Sequence, residues 1–325
     1  MKFFAHFNAR SLEEALELLQ AHAGEAVLNA GGTDLLGLLK ADCLPRYPRA
    51  VINLKTVPGM DGMEEKPEGL YVGALVRLAD LARSPLIRSH YPALAEAAHS
   101  VASPQIRNVA TLGGNLCQET RCWYYRYPKV LGGSIECARK GGSKCYAPQG
   151  DNRYHALFGA RRCYAVCPSD TAVALAAYEA KLKIRGPQGE RTVALTDFYH
   201  PLGKDLRPEE IVVGVELPPP PSGARQRFLK FTLRRPIDFA VVSVASVVKE
   251  EDQVVTDCRL VLGAVAAGPL RARAAEDFLR GKPLEEKTVT RAAEEALAGA
   301  RPLSGNAYKI EITKTLIKRA LLGGA

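Results

Sequence analysis

The chain has 325 residues, 47% hydrophobic and 24% charged, with a formal net charge of +9. At about 150 residues per domain this suggests two domains, each able to bury a core without help from metals or disulfides. The basic residues are spread along the chain with no basic run interleaved with aromatics, which argues against nucleic-acid binding. No stretch is apolar and long enough to span a bilayer, and the start, Met1 to Asn8, lacks the apolar core of a secretion signal, so a cytoplasmic protein is expected. In chain order, Ser11-Leu12-Glu13-Glu14 reads as a capping box opening a helix whose Leu12, Ala15, Leu16 and Leu19 share a face. Ala26-Val27-Leu28 reads as a strand, followed by a glycine turn and a helix through Leu39. Val51 to Leu54 and Leu70 to Val76 read as strands, and Leu78 to Ser103 as helical segments broken near Pro85 and Pro92. This alternation predicts a first region rich in β-α-β units.

From residue 117 to about 167 hydrophobic periodicity disappears, and six of the eight cysteines fall there among glycines and aromatics. Periodicity returns at Thr171-Ala172-Val173-Ala174-Leu175. The run Pro218-Pro219-Pro220-Pro221-Ser222-Gly223 is a stiff linker. It divides a domain over 1–221 from one over 225–325. The second contains three strand-like runs (228–233, 240–248 and 254–266) and three helical segments (272–280, 286–299 and 306–322). The expected class is α+β.

Two glycine turns carry the first chemical signal: Ala30-Gly31-Gly32-Thr33-Asp34 and Thr111-Leu112-Gly113-Gly114-Asn115. Paired glycines let backbone N–H groups approach a phosphate, and the turn at Gly31 also opens a helix whose positive end favours an anion. Neither turn matches the G-x-G-x-x-G or P-loop fingerprint, so the turns alone do not name a ligand. The second signal is the cysteine-rich loop. With no secretion signal, a disulfide framework is not expected. Structural zinc favours closely paired cysteines, and the only close pairs here are Cys117/Cys122 and Cys163/Cys167. Four thiolates on an irregular loop freed by Gly132, Gly133, Gly141, Gly142 and Gly150 suit a 4Fe–4S cluster. His155 stands alone beside aromatics and reads as a packed histidine. Cys43, Cys117 and Cys258 read as small apolar residues.

In order along the chain, Ala-Gly-Gly-Thr-Asp at 30–34, Gln105-Ile106-Arg107-Asn108, Thr-Leu-Gly-Gly-Asn at 111–115 and Pro168-Ser169-Asp170 resemble the FAD-binding medium subunits of the molybdenum hydroxylase (xanthine oxidase/CO dehydrogenase) family. Lys230, Arg234, Arg235 and Asp238 resemble that family's C-terminal flavoprotein domain, although an ion pair at the surface explains Arg234 and Arg235 equally well. The resemblance implies a two-subdomain FAD-binding domain of the vanillyl-alcohol-oxidase (PCMH) type followed by a small α+β domain. It implies that Ala30, Gly31, Gly32, Thr33, Asp34, Thr111, Gly113, Gly114, Asn115, Asp170 and Lys230 contact FAD. The molybdenum cofactor is then expected on a large partner subunit and two 2Fe–2S clusters on a small one, in a dimer of heterotrimers.

Common members of that family run almost directly from the Gly-Gly-Asn turn to Pro-Ser-Asp, whereas this chain inserts the cysteine loop. Thr120-Arg121-Cys122, then Cys137, a seven-residue gap, Cys145 and Arg162-Cys163-Tyr164-Ala165 resemble the flavin subunits of 4-hydroxybenzoyl-CoA reductases. By that resemblance Cys122, Cys137, Cys145 and Cys163 ligate a 4Fe–4S cluster, with Cys167 the alternative fourth ligand. The stretch Asn152 to Gly159 departs from that pattern and resembles flavin subunits of bacterial aldehyde oxidoreductases. The implied role is an electron relay between the partner's 2Fe–2S clusters and a carrier such as ferredoxin, in a 4-hydroxybenzoyl-CoA reductase or, alternatively, in an aldehyde or N-heterocycle (xanthine-type) dehydrogenase. A self-contained FAD oxidase and a zinc-stabilised binding module are the alternatives, separable by turnover of the isolated chain and by metal analysis.

Overall fold

The structure, a computed structural model, describes residues 1–234 and 237–323. The N-terminal region opens with β1 (Ala5–Asn8), α1 (Leu12–Ala21), β2 (Ala26–Asn29), α2 (Leu35–Ala41) and β3 (Ala50–Asn53). The three strands form a parallel sheet in the order β1-β3-β2, as β-α-β connections require. Ser11 caps α1 by accepting the Glu14 N–H at 3.1 Å, and Ala15, Leu16 and Leu19 bury the expected face.

Next come β4 (Met63–Lys66), β5 (Gly69–Gly73), α3 (Leu78–Arg83), α4 (Pro85–His90), α5 (Pro92–Ser100), α6 (Pro104–Arg107) and α7 (Leu112–Cys117). The helix breaks fall at Pro85 and Pro92, where each proline occupies a first-turn position that needs no N–H partner. After the insert come α8 (Asp170–Ala177), β6 (Lys181–Gly186), β7 (Gly189–Ala194), α9 (Leu195–Phe198), the small hairpin β8 (Tyr199–His200) and β9 (Gly203–Lys204), and β10 (Ile211–Leu217). An antiparallel sheet runs β4-β5-β10-β6-β7. Its strands β6, β7 and β10 lie in a stretch where the sequence reading assigned none.

The C-terminal region holds β11 (Arg225–Phe231), β12 (Val242–Glu251), β13 (Val254–Gly263), β14 (Leu270–Arg271), α10 (Arg273–Leu279), α11 (Glu286–Leu297) and α12 (Tyr308–Leu322). The four strands make an antiparallel sheet in chain order. Alternation along β12 and β13 splits the sheet's two faces: Ala245, Val247 and Val261 join the N-terminal core, while Val242, Val244, Leu260 and Leu262 join a second core with α10–α12. This shared sheet places Lys230 on β11 beside the N-terminal helices. Among the described residues, no helix is long and apolar enough to cross a membrane.

Candidate functional site

A cavity of about 1000 Å³ lies between the two glycine segments. That is the upper end of the range for small-molecule sites, room for a dinucleotide-sized ligand. All eleven residues expected at the cofactor line it: Ala30 to Asp34, Thr111, Gly113, Gly114, Asn115, Asp170 and Lys230. The two segments touch: a Cβ at Gly31 would lie 2.3 Å from the Val109 carbonyl oxygen, so only glycine fits there, and Gly32 adopts φ +71°. The second segment differs from the expected turn. Thr111 caps α7, its Oγ1 accepting the Gly114 N–H at 3.2 Å, so Gly113 and Gly114 form a helical first turn. On the cavity wall, Asn29 Oδ1 is buried without a partner. A buried acceptor left unpaired costs free energy unless a ligand donor meets it, so these walls fit a polar cofactor.

Deep in the cavity, Lys230 Nζ donates to Asp170 Oδ2 at 2.6 Å and to the Ser100 carbonyl at 3.0 Å. Both side chains are buried, and burial pushes the Asp170 carboxyl up while Lys230 opposes it. Asn115 Oδ1 accepts from Ser169 Oγ and Thr171 Oγ1 at 2.6 and 2.7 Å, which fixes the start of α8 against α7. Asp34 turns toward the insert: Oδ1 pairs with Arg126 at 2.7 Å and Arg121 at 2.9 Å, and Oδ2 accepts the Glu119 N–H at 2.8 Å. Glu119 in turn accepts from Lys204 and Arg139. Burial raises the Glu119 carboxyl, but Lys204 and Arg139 outweigh it and hold it below its usual range. Four cations thus face two carboxylates between the cavity and the first cysteine of the insert.

Arg234 pairs at the surface with Asp238 at 3.3 Å and is 78% exposed, as the ion-pair reading has it. Arg235 lies outside the described residues.

The insert contains three short 3₁₀ turns and otherwise irregular backbone. The Cys145 and Cys163 thiols lie beside each other, which lowers the Cys145 thiol and raises that of Cys163. Burial lifts Cys122 to about 11, with Cys145 and Cys137 close enough to add to the shift. Backbone N–H groups of Tyr124 and Tyr125 point at Cys122, those of Ala147 and Tyr164 at Cys145, and that of Ala165 at Cys163. Cys137 packs with Cys122, Tyr125 and Cys43. Cys167 lies elsewhere, in the N-terminal core beside Tyr199. Cys258 is buried in the C-terminal core. Among the described residues, no three His, Cys, Asp or Glu side chains stand close enough to hold one metal ion. Tetrahedral zinc would need sulfurs about 3.8 Å apart. A cube with one iron at each corner spreads its thiolates more widely than a single ion does, and the N–H donors at the Cys122, Cys145 and Cys163 sulfurs suit such a group.

Comparison with known proteins agrees with this geometry. A family profile described as the FAD binding domain in molybdopterin dehydrogenase matches residues 2–220, and one described as the CO dehydrogenase flavoprotein C-terminal domain matches residues 227–323. This chain belongs to that family of FAD-binding subunits. The aldehyde oxidoreductase FAD-binding subunit PaoB of Escherichia coli (strain K12) is 35% identical, covering 99% of this chain and 98% of its own. The carbon monoxide dehydrogenase medium chain of Hydrogenophaga pseudoflava is 28% identical over 98% of this chain and 96% of its own. Among solved structures, the carbon monoxide dehydrogenase from Hydrogenophaga pseudoflava lacking the Mo-pyranopterin moiety superposes with a TM-score of 0.80 at 27% identity, covering 99% of this chain and 97% of that one. The observed two-region fold is therefore that of the FAD-binding subunits of molybdopterin dehydrogenases.

Sequence reasoning missed several residues around this subunit's site. Asn29, Glu119, Arg126, Arg139 and Lys204 are scattered over the chain and carry no motif. His155, expected to be packed, is indeed buried, but its Nε2 lies 3.3 Å from Cys122 Sγ. Asn306 and Lys309, which hold its backbone, sit on the far side of the domain boundary, and no local pattern marks them.

Proposed function

We propose that this chain is the FAD- and 4Fe–4S-containing electron-transfer subunit of a heterotrimeric molybdenum-dependent oxidoreductase. The observation that carries the reading is the adjacency of two sites on one chain: the glycine-walled cavity and the four-cysteine insert share Asp34 as a boundary post. Bound FAD exchanges electrons singly or in pairs, whereas iron–sulfur centres pass one at a time, which suits FAD to a junction. The cavity residues Ala30 to Asp34, Thr111 to Asn115, Asp170 and Lys230 hold and orient the flavin. Cys122, Cys137, Cys145 and Cys163 hold the cluster, Cys163 being favoured over Cys167 because it lies beside Cys145 while Cys167 packs in the core. The cations around Asp34 and Glu119 offset the negative charge of a pyrophosphate on one side and of thiolates on the other.

The molybdenum cofactor and substrate site belong on a large partner and the 2Fe–2S clusters on a small one, in a dimer of heterotrimers. The cluster extends the electron path toward an external carrier such as ferredoxin, and the +9 charge suits an acidic one. The 35% identity with the aldehyde oxidoreductase subunit, together with the Asn152–Gly159 stretch, favours an aldehyde as substrate of the complex. The cysteine spacing favours the second reading, 4-hydroxybenzoyl-CoA reduction. The test is metal and flavin analysis of the complex purified without oxygen, with Cys137→Ser beside the wild type. Four irons and four sulfides beyond those of the small subunit, lost in Cys137→Ser with FAD retained, are expected. Unchanged iron and carrier reduction in the variant would overturn the relay. Turnover with an aldehyde against 4-hydroxybenzoyl-CoA separates the two substrate readings.

A further inference from the structure

His155 is 3% exposed, and its ring lies between Trp123 and Tyr124, each with its centroid 6.1 Å away. Among the described residues Nδ1 is buried with no hydrogen-bond partner, and the ring's one polar contact is Nε2 to Cys122 Sγ at 3.3 Å. A thiolate bound to iron has no hydrogen to give, so this contact is satisfied only by the tautomer carrying hydrogen on Nε2.

The ring does not hold this position by its own loop alone. Lys309 Nζ donates to the His155 carbonyl at 3.0 Å and also to the Ala264 carbonyl. Asn306 Nδ2 donates to the His155 and Ala156 carbonyls at 3.0 and 3.3 Å. The Gly305 N–H, on the same turn, donates to Asn152 Oδ1 at 2.8 Å, and Asn306 and Lys309 are both fully buried. Two side chains, one in the turn before α12 and one in its first turn, thus reach out of the C-terminal domain to pin one residue of the insert.

We propose that His155 is a positioning residue that donates a hydrogen bond to the Cys122 thiolate, raises the reduction potential of the cluster, and is kept in place by Asn306 and Lys309. The inference rests on the reading that Cys122 is a cluster ligand. A hydrogen bond to a ligating sulfur stabilises the more negative, reduced state, and outer contacts of this kind are a main lever on cluster potential. The C-terminal domain thereby acquires a role in tuning the insert.

The test is a potentiometric titration of the intact complex followed by electron paramagnetic resonance, with iron and sulfide counted in each sample. His155→Leu is expected to keep its iron and shift the one-electron equilibrium about tenfold toward the oxidised state, ~59 mV to lower potential. His155→Gln, which restores an N–H, should recover part of the shift, and Asn306→Ala should move the potential the same way by less. A His155→Leu protein with full iron and the wild-type potential overturns the proposal. If His155→Leu loses its iron, wild-type complex labelled with ¹⁵N-histidine decides. A weak hyperfine coupling to nitrogen supports the hydrogen bond, whereas no coupling, or one strong enough for direct iron ligation, overturns it. A wild-type chain with no iron of its own instead sinks the cluster reading, and this inference with it.

Discussion

The glycine-lined cavity takes its walls from the ends of regular elements: the β2–α2 turn, the capped start of α7, the start of α8 and the end of β11. The cysteine insert next to it contains only three short 3₁₀ turns, and is tied down by side chains from elsewhere, among them Asp34, Asn306 and Lys309. Backbone hydrogen-bond ladders hold the first region in shape with or without a ligand. The second has few such bonds, so its order depends on its tethers and on whatever the four sulfurs bind. One region is thus a preformed cradle and the other a loop shaped by its contents.

This contrast breaks most sharply at Gly31. Gly31→Ala drives a methyl into the Val109 carbonyl, a contact between two backbone segments with no flexible side chain to yield. Overpacking of this kind costs about 1–3 kcal/mol, so FAD affinity should fall roughly 5- to 150-fold. The flavin-to-protein absorbance ratio after gel filtration reads this directly, while iron content stays constant. Parallel loss of iron would mean that the two regions are one cooperative unit.

The converse experiment strips the iron. A chelator with mild oxidation should leave the flavin bound and open the insert to trypsin at Lys129, Arg139, Lys140 and Lys144, residues on or beside its 3₁₀ turns. Mass spectrometry of early fragments locates the cuts. An unchanged digestion pattern would show that the tethers suffice and the sulfurs add nothing to the order of the loop.

The same contrast governs what the sequence discloses. The helix breaks at Pro85 and Pro92, the Ser11 cap and the two glycine segments are local, since each is set by neighbours within a turn or two. Strands β6 and β7 were local as well: Leu182 and Ile184 alternate with Lys181, Lys183 and Arg185, a period-2 signal that was there to be used. Gly113 and Gly114 were legible as a phosphate-type segment but not as a helix start, because two glycines disfavour a helix until Thr111 caps it and Leu112 and Leu116 bury it. Nothing local could place Arg126 on Asp34 or Lys309 on His155. Those contacts span 92 and 154 residues and exist only once the two regions have packed.

Lys309 offers a graded test of the tethers. It is fully buried and donates only to carbonyls, so burial lowers its ammonium to about 7. Between that value and the ordinary lysine range the unfolded chain holds a proton that the folded chain has released, so stability rises with pH across that window. Lys309→Met lacks this term. The denaturation midpoint of the wild type should therefore gain on that of the variant from pH 7 to pH 9, by no more than about 1.4 kcal/mol per pH unit. A gap that stays constant from pH 7 to pH 9 would mean that the ammonium is charged and well satisfied throughout, a stronger tether than burial implies.

The smallest effect belongs to Arg234, which lines the cavity yet, among the described residues, pairs its side chain with Asp238 alone, at 3.3 Å, and is mostly in solvent. Exposed pairs of this geometry contribute little, because water screens them and ordering two long side chains offsets the attraction. Arg234→Ala should leave the melting temperature and the flavin content within experimental scatter. A clear loss of flavin in this variant would move Arg234 from the surface to the cofactor. It would also extend the preformed cradle to Arg234, which lines the cavity after β11.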